Sequence, residues 1–334
     1  MRRRLSKLGR MTASTTAPGL AARAGAAAAT SDVLPNDTTL VCDDGRALAA
    51  SWFEPPQGAA RAVAVVHSAT GVPRHFYRAF AQWLAARGYA VLSYDYRGIG
   101  QSRQGDVRRD VASMADWAVF DMSAALAAAE ARRERDGLPL LLVGHSFGGN
   151  ALGFARGVER ADAILGIAAQ SGEWRRWPNP DRWLTAAFFY GLIPAVVALF
   201  GHAPAWALGG GAQPLPPEVA RQWARWGRRR GFSFSDPAMQ AHRAFSAVVA
   251  PVHLWHVGDD WTYGPPSCVD ALAEQFALAA VQRHALQPAD VGLARIGHFG
   301  AFRRELGPRI WPRLLQPIEQ ATPALRGAGL REAL

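Results

Sequence analysis

The feature that most constrains this chain is residues 138–150, which read L-P-L-L-L-V-G-H-S-F-G-G-N. Four apolar residues run directly into a G-x-S-x-G pentapeptide centred on Ser146. This pattern predicts a buried strand, followed by a turn that leaves no room for side chains at Gly144 and Gly148. A serine at such a strand-to-helix turn is strained, and its hydroxyl is pushed out of the sheet. The segment therefore predicts a nucleophilic serine, and a tight structural turn is the alternative.

The length and composition allow a large core without covalent or metal crosslinks. The chain has 334 residues, of which 49% are hydrophobic. This length is sufficient for one large α/β domain with an insertion, or for two ordinary domains. The two cysteines, Cys42 and Cys268, have neither metal-ligand spacing nor a disulfide framework. We expect both to be small buried thiols, and we expect no metal site.

The formal net charge of +10 raises the hypothesis of a nucleic-acid or membrane partner. Residues 1–35 contribute +5 of this charge. The chain has a single lysine against 36 arginines, a bias more typical of GC-rich coding than of selected phosphate contacts. We therefore expect no nucleic-acid partner. A basic patch at residues 221–230 remains, and we expect it to be the solvated face of a helix, with contact to an anionic head group as the alternative.

The N-terminal segment is basic but does not resemble a secretion signal. No continuous apolar run of 7–15 residues follows its arginines, so we expect no secretory signal. A transit peptide is a minor alternative. We predict that residues 1–35 are a disordered extension and that the protein is cytoplasmic.

Strands and helices alternate along most of the chain. Apolar or alternating runs predict eight strands, at residues 39–42, 48–53, 62–66, 89–94, 140–143, 161–169, 251–257 and 281–286. Helical spacing predicts helices at 76–86, 113–135 and 267–279, and a final helix that Pro308 and Pro312 break. This alternation predicts a mostly parallel sheet with helices on both faces and an antiparallel hairpin at one edge. The predicted core comprises residues 36–170 and 248–320.

The alternation stops at residues 171–247, which contain six of the twelve tryptophans. Within them, residues 184–200 are apolar and uncharged. Their length is at the lower limit for a membrane span, and Gly191 and Pro194 count against a straight one. We therefore predict a helical lid insertion that buries its apolar face over a cleft. Association with a membrane is an alternative that we do not favour.

A nucleophilic serine needs a base and an orienting acid. His298 lies in a glycine-bounded loop after the last predicted strand, and Asp259 and Asp260 follow the preceding strand. The order serine, aspartate, histidine is one of the known orders of such triads. We favour Asp260 as the acid, with Asp259 as a capping residue and as the alternative. The other eight histidines lack this context, and His145 is expected to point away from Ser146.

The tetrahedral intermediate of such a reaction also needs hydrogen-bond donors for its oxyanion. The backbone N–H of Phe147, directly after the serine, is one candidate. The small-residue loop 67–71 after the third strand offers a second, for which we choose Ala69. We therefore predict an oxyanion hole made of these two backbone N–H groups.

These segments together resemble the α/β-hydrolase superfamily, and most closely its branch of serine aminopeptidases and monoglyceride lipases. The resemblance spans about residues 36–315 and rests on H-S-A-T-G, D-Y-R-G-I-G-Q-S, G-H-S-F-G-G, G-D-D-W and I-G-H-F-G in that order. It implies an α/β-hydrolase fold with an eight-stranded sheet, a triad of Ser146, Asp260 and His298, and no cofactor. The loop from Asp95 to Ser102 is implied to be structural. The usual H-G of the oxyanion loop is His67-Ser68 here.

The leading functional hypothesis is a serine hydrolase that cleaves an acyl ester, such as a monoglyceride or lysophospholipid, through an acyl-enzyme. The apolar lid favours an apolar acyl group as the small-molecule substrate. An amidase or aminopeptidase shares the same machinery and would need an acidic group for a free amine, for which Glu173, Asp181 and Glu218 are weak candidates. A non-catalytic ligand-binding protein of the same fold is the alternative from a different class. The oligomeric state is not predicted.

Overall fold

The sheet has eight strands and is parallel except at one edge. The computed structural model describes residues 33–209 and 211–326. The strands are β1 Asn36–Val41, β2 Ala47–Phe53, β3 Ala62–His67, β4 Tyr89–Tyr94, β5 Leu140–His145, β6 Ala163–Ile167, β7 Val252–Val257 and β8 Val281–Leu286. Their spatial order is β1-β2-β4-β3-β5-β6-β7-β8, with β1 and β2 antiparallel to their neighbours and every other pairing parallel. The predicted fold class is confirmed.

Helices cover both faces of this sheet. They are α1 Arg78–Ala85, α2 Met122–Asp136, α3 Phe147–Asn150, α4 Asp181–Ala187, α5 Ile193–Phe200, α6 Pro217–Arg228, α7 Pro266–Ala273, α8 Gly297–Gly300 and α9 Gly307–Ala321. A short helical turn and the π-helical turn Trp117–Asp121 precede α2 without a break, and a second π-helical turn, Phe188–Leu192, joins α4 to α5. The hairpin predicted before β2 turns at Gly45, whose φ of 81° favours glycine.

The central strands are apolar throughout because both of their faces are covered. In β3, Val63 and Val65 belong to the cluster on the side of α2, whereas Ala64 and Val66 belong to the cluster that contains α1 and α9. This alternation follows from the two-residue period of a strand. The serine turn follows β5, which lies in the middle of this sheet and is buried along its whole length.

The last helix contradicts its sequence prediction. Pro308 lies in the first turn of α9, where a missing N–H costs nothing, and Pro312 and Pro317 lie inside a helix that continues to Ala321. The buried residues Ile310, Trp311, Leu314, Leu315 and Ile318 hold this helix against the sheet. Tertiary burial therefore outweighs the local cost of the two internal prolines.

The insertion, which we define as residues 171–247, contains α4, α5 and α6 and lies between β6 and β7. Its only strand-like pairing among the described residues is one bridge, between Ala203 and Leu215. Helix Asp181–Phe200 is long and apolar enough to cross a membrane by length and composition, yet only 28% of its apolar window is buried. Phe189, Ile193, Val196 and Val197 are buried on one side of this helix, whereas Leu184 and Leu199 remain exposed.

Buried ion pairs hold the loop after β4. The Arg74 guanidinium donates to Asp95 at 2.6 Å, and the Arg97 Nε donates to Asp121 Oδ1 at 2.6 Å. Burial raises the pKa of Asp121 to about 7, and the neighbouring Arg97 opposes this shift. These contacts give the loop a structural role, as the resemblance implied. Of the extension predicted for residues 1–35, residues 1–32 lie outside the described residues.

Candidate active site at the carboxyl edge of the sheet

Ser146 lies on a strained turn between β5 and α3. Its backbone φ is 53° and its ψ is −117°, a backbone conformation that residues other than glycine rarely adopt. Its N–H donates to the Ile167 carbonyl at 3.1 Å. A Cβ on Gly144 would overlap the Gly149 backbone, and one on Gly148 would overlap the His67 carbonyl. The glycines therefore allow α3 to pack against the strand ends, which holds the serine at the turn.

The structure brings Asp260 to the ring of His298. His298 Nδ1 and Asp260 Oδ2 are 2.6 Å apart, and both side chains are at most 3% exposed. Asp259 lies elsewhere, and its carboxylate accepts the backbone N–H groups of Ile296 and Gly297, each at 2.9 Å. The two aspartates thus have different contacts, since Asp260 binds the imidazole and Asp259 holds the loop that carries it.

Ser146 and His298 line the same cavity but no hydrogen bond joins them in the described structure. Among the described side chains, only that of Gln170 hydrogen-bonds to Ser146 Oγ, through its amide nitrogen at 3.5 Å. The same amide donates to the Tyr263 carbonyl at 3.0 Å. Gln170 was not predicted, and its position after β6, beside the insertion, offered no sequence signal.

His145 lies in a buried hydrogen-bond chain that sequence reasoning missed. Its Nε2 is 2.9 Å from the His298 carbonyl, which can only accept, so Nε2 carries the proton. Its Nδ1 must then accept from the Tyr77 hydroxyl at 2.8 Å, and that hydroxyl accepts the Ala69 N–H at 2.8 Å. Burial lowers the pKa of His145 well below its usual value, which keeps the ring neutral. The chain links loop 67–71 to the backbone of His298.

The two predicted oxyanion donors, Phe147 and Ala69, differ in their contacts. Phe147 is the first residue of α3, where a backbone N–H has no acceptor within the helix. Ala69 lies at the same cavity, but its N–H is not free, because it donates to the Tyr77 hydroxyl. The Phe147 N–H is therefore available as a donor. The Ala69 N–H would first have to lose its hydrogen bond to the Tyr77 hydroxyl before it could donate to an oxyanion.

We expect Tyr77→Phe to destabilise the fold by about 1–3 kcal/mol, because the variant leaves the Ala69 N–H and His145 Nδ1 buried without partners. Urea unfolding of the variant and the native protein measures this difference. Tyr94→Phe is the matched control, since it removes a second fully buried tyrosine hydroxyl, which contacts His67 Nδ1 at 2.7 Å. If ester turnover falls in Tyr77→Phe no further than in Tyr94→Phe, the chain through His145 does not position the site.

The cavity in front of Ser146 has a volume of about 530 Å³ and is walled mainly by the insertion. Its aromatic lining consists of Phe147, Trp177, Phe188, Phe189, Trp206, Trp223, Phe232, Trp261, Tyr263 and Phe299. Trp177 also donates its ring N–H to the Trp261 carbonyl at 3.1 Å, which ties the insertion to the loop that carries Asp260. Such a cavity can receive a predominantly apolar group of moderate size.

The charged residues singled out in the insertion have separate locations. Asp181 lines the cavity, whereas Glu173 is buried and accepts the Gly231 N–H at 2.9 Å. Glu218 pairs with Arg225 at 2.5 Å on the surface. No arginine is among the described residues that line the cavity. The arginines of the basic patch at 221–230 thus lie on helix α6 and the segment after it, and none of them lines the cavity.

The other sequence expectations concern metals and thiols. Within residues 33–209 and 211–326, no group of three or more histidine, cysteine or acidic side chains is arranged to hold a metal ion. Cys42 and Cys268 are both free and buried, as predicted. Burial raises the pKa of the Cys42 thiol to about 12, so this thiol is a packing residue and not a nucleophile.

Comparison with known proteins found similarity in sequence to one family and similarity in structure to several solved proteins. Residues 58–194 match the sequence profile of the family described as serine aminopeptidase, S33. No curated protein sequence matches the chain at a significant level.

Solved structures match over most of the chain. A soluble variant of monoglyceride lipase from Saccharomyces cerevisiae, in complex with a substrate analogue, is 13% identical and covers 86% of this chain and 95% of that one, with a TM-score of 0.61. Brefeldin A esterase, a bacterial homologue of human hormone-sensitive lipase, is 19% identical over 93% and 81%, with a TM-score of 0.57. An esterase from Pyrococcus furiosus is 13% identical over 86% and 92%, with a TM-score of 0.54. At these identities the structures show that the chain has the α/β-hydrolase fold, and the family match covers residues 58–194, less than half of the chain.

Proposed function

We propose that this protein is a serine esterase whose nucleophile, base and acid are Ser146, His298 and Asp260. The observation that carries the proposal is the 2.6 Å hydrogen bond between His298 and Asp260 beside a strained serine that faces the same cavity. A buried carboxylate that accepts from Nδ1 holds the imidazole in the tautomer whose Nε2 can take a proton. The absence of a hydrogen bond between Ser146 and His298 is compatible with this role, because catalytic contacts often tighten only when substrate is bound.

The proposed reaction has two halves. Ser146 Oγ attacks the acyl carbon while His298 Nε2 takes its proton, and the tetrahedral oxyanion accepts the Phe147 N–H. Ala69 supplies the second N–H once the oxyanion replaces the Tyr77 hydroxyl. The intermediate collapses to an acyl-enzyme as His298 returns the proton to the leaving alcohol. Water then attacks the acyl-enzyme with the same histidine as base, which releases the acid and the free serine.

The cavity favours an uncharged ester with an apolar acyl group. Its walls are mostly aromatic, and burying an acyl chain against them is worth about 0.8 kcal/mol for each methylene. None of the described residues that line the cavity is an arginine that could pair with a phosphate-bearing head group, and Arg225 of the insertion pairs with Glu218 on the surface. We therefore favour a monoglyceride-like or simple acyl ester over a lysophospholipid.

A fluorophosphonate probe and a panel of p-nitrophenyl esters test this proposal. We expect the native protein to be labelled at one serine, and we expect kcat/KM to rise from acetate towards medium-length acyl chains. Each added methylene should raise kcat/KM about fourfold until the cavity is full, in line with about 0.8 kcal/mol per methylene. A protein that is neither labelled nor active on any ester would be a non-catalytic ligand-binding protein of this fold, and the proposal would fail.

An amidase or aminopeptidase is the second candidate, and one observation favours it. Among the three acids considered for binding a free amine, only Asp181 lines the cavity, and its carboxylate has no ion-pair partner among the described residues. The same panel extended with p-nitroanilides of free amino acids distinguishes the two candidates. Faster cleavage of these anilides than of the matched esters would favour the aminopeptidase.

A further inference from the structure

The exposed surface of the insertion is apolar where a surface helix is normally polar. The apolar face, as we define it, consists of the exposed side chains Trp183, Leu184, Tyr190, Leu192, Leu199, Phe200 and Trp206. Leu199 is 78% exposed and Leu184 is 73% exposed. No residue from Trp183 to Pro217 carries an acidic or basic side chain apart from His202. Seven large exposed apolar side chains within 24 residues form a surface that water does not favour.

Half of the net charge of the chain lies in the insertion that carries this face. The insertion contains nine arginines and four acidic residues, a net charge of +5. Residues 36–170 and 248–334 each carry equal numbers of positive and negative side chains, so the entire +10 lies in residues 1–35 and in the insertion. Coding bias towards arginine would not by itself confine the excess to these two segments.

Arginines flank the apolar face at close range. The Arg182 guanidinium lies 5.1 Å from the centre of the Trp183 ring, and that of Arg228 lies 5.4 Å from the centre of the Tyr190 ring. Aromatic side chains with adjacent cations are typical of elements that lie at a lipid–water boundary, where rings enter the head-group region and cations bind anionic lipids. The face therefore combines both features that a peripheral membrane contact needs.

The apolar face is continuous with the cavity. Leu184 and Trp206 belong to the face and also line the cavity, and Trp261, which is 54% exposed, lines it too. The wall of the cavity therefore extends outward into the face. If the proposed esterase activity is correct, an acyl chain could pass from a lipid layer into the cavity without crossing water.

We propose that the apolar face docks on an anionic lipid surface, with helix Asp181–Phe200 lying along the surface and not across the membrane. A spanning orientation is opposed by the buried residues of this helix, Phe189, Ile193, Val196 and Val197, which pack into the core. A second copy of the chain is the other candidate occupant. Charge opposes it, because two insertions would each bring +5 to one interface, whereas anionic head groups neutralise this charge.

Vesicle co-sedimentation of the full chain tests the docking without any turnover. One set of vesicles contains phosphatidylcholine alone, and the other contains phosphatidylcholine with about 30% phosphatidylserine. Both sets are used at low and at physiological salt concentration. The decisive variant is Leu199→Glu, and the matched control is Leu278→Glu, which makes the same change at a leucine 68% exposed outside the insertion. Neither residue lines the cavity, so both variants should hydrolyse a short water-soluble ester at the native rate.

We expect the native protein and Leu278→Glu to bind the anionic vesicles equally and the neutral ones at least fivefold more weakly. Leu199→Glu should bind anionic vesicles at least tenfold more weakly, because burial of one leucine side chain strengthens binding by about one to two factors of ten in affinity. Since the two variants have the same net charge and the same N-terminal segment, unspecific electrostatic binding would affect them equally.

Three results would overturn the proposal. The first is a native protein that does not sediment with anionic vesicles, and the second is equal binding by Leu199→Glu and Leu278→Glu. The third is a native dimer, detected by sedimentation velocity, that Leu199→Glu converts to a monomer, because a second copy would then cover the face. Loss of vesicle binding with full short-ester activity separates this proposal from the esterase proposal, which fails only if the ester activity is absent.

Discussion

Replacing Ser146 with alanine is expected to lower kcat for ester hydrolysis by about 10⁴- to 10⁶-fold, the range seen when a serine nucleophile is removed. The structure predicts little effect on stability, because the hydroxyl has one weak side-chain contact, at 3.5 Å from Gln170. The measurement is kcat on the best p-nitrophenyl ester, together with labelling by the fluorophosphonate probe. Labelling should disappear in the variant.

Thermal unfolding is the control for this variant. A melting temperature within about 2 °C of the native value would show that the activity was lost through the hydroxyl and not through the fold. The alanine should also keep the positive φ of the native serine, because the backbone on either side of it, at Gly144 and Gly148, is closely packed against Gly149 and His67. A variant that kept even a hundredth of the native activity would show that Ser146 is not the nucleophile.

Replacing Asp260 with asparagine is expected to lower kcat by about 10⁴-fold. The amide nitrogen of the asparagine would donate to His298 Nδ1, so the proton of the neutral imidazole would be on Nε2. In that tautomer, Nε2 can no longer accept the proton of Ser146. KM should change little, because Asp260 does not line the cavity. The measurement is kcat and KM on the same ester, with melting temperature as a check on folding.

Asp259→Asn is the matched control at the neighbouring position. This side chain accepts two backbone N–H groups, from Ile296 and Gly297, and an asparagine can accept with only one oxygen. We expect a loss of about 1–2 kcal/mol in the free energy of unfolding and less than a tenfold loss of kcat. The opposite order, with Asp259→Asn the less active variant, would exchange the two assignments.

The alternation of strands and helices was predictable because it depends on local patterns. Strand β5 is a run of apolar residues, which a sheet covered by helices on both faces requires. The bounds of the strands differ from the predicted bounds by only a few residues. The failure at α9 is the exception: Pro308 and Pro312 were expected to break the final helix, and the burial of Trp311 and its neighbours keeps it helical. A proline's effect depends on what the rest of its helix buries, which local sequence does not contain.

Strand β5, the glycine-bounded turn at Ser146 and the order of the candidate serine, aspartate and histidine could all be predicted from the amino-acid sequence. These follow from steric limits and periodicities that act within a few residues. Three features became visible in the folded chain alone. Asp260 contacts His298, the Tyr77 hydroxyl accepts the Ala69 N–H, and helix Asp181–Phe200 exposes many of its apolar side chains. Each of these depends on contacts between residues far apart in the chain, such as His145 and His298, or on which face of a helix meets the core. Composition and spacing constrain neither, because they describe a helix or a loop without its neighbours.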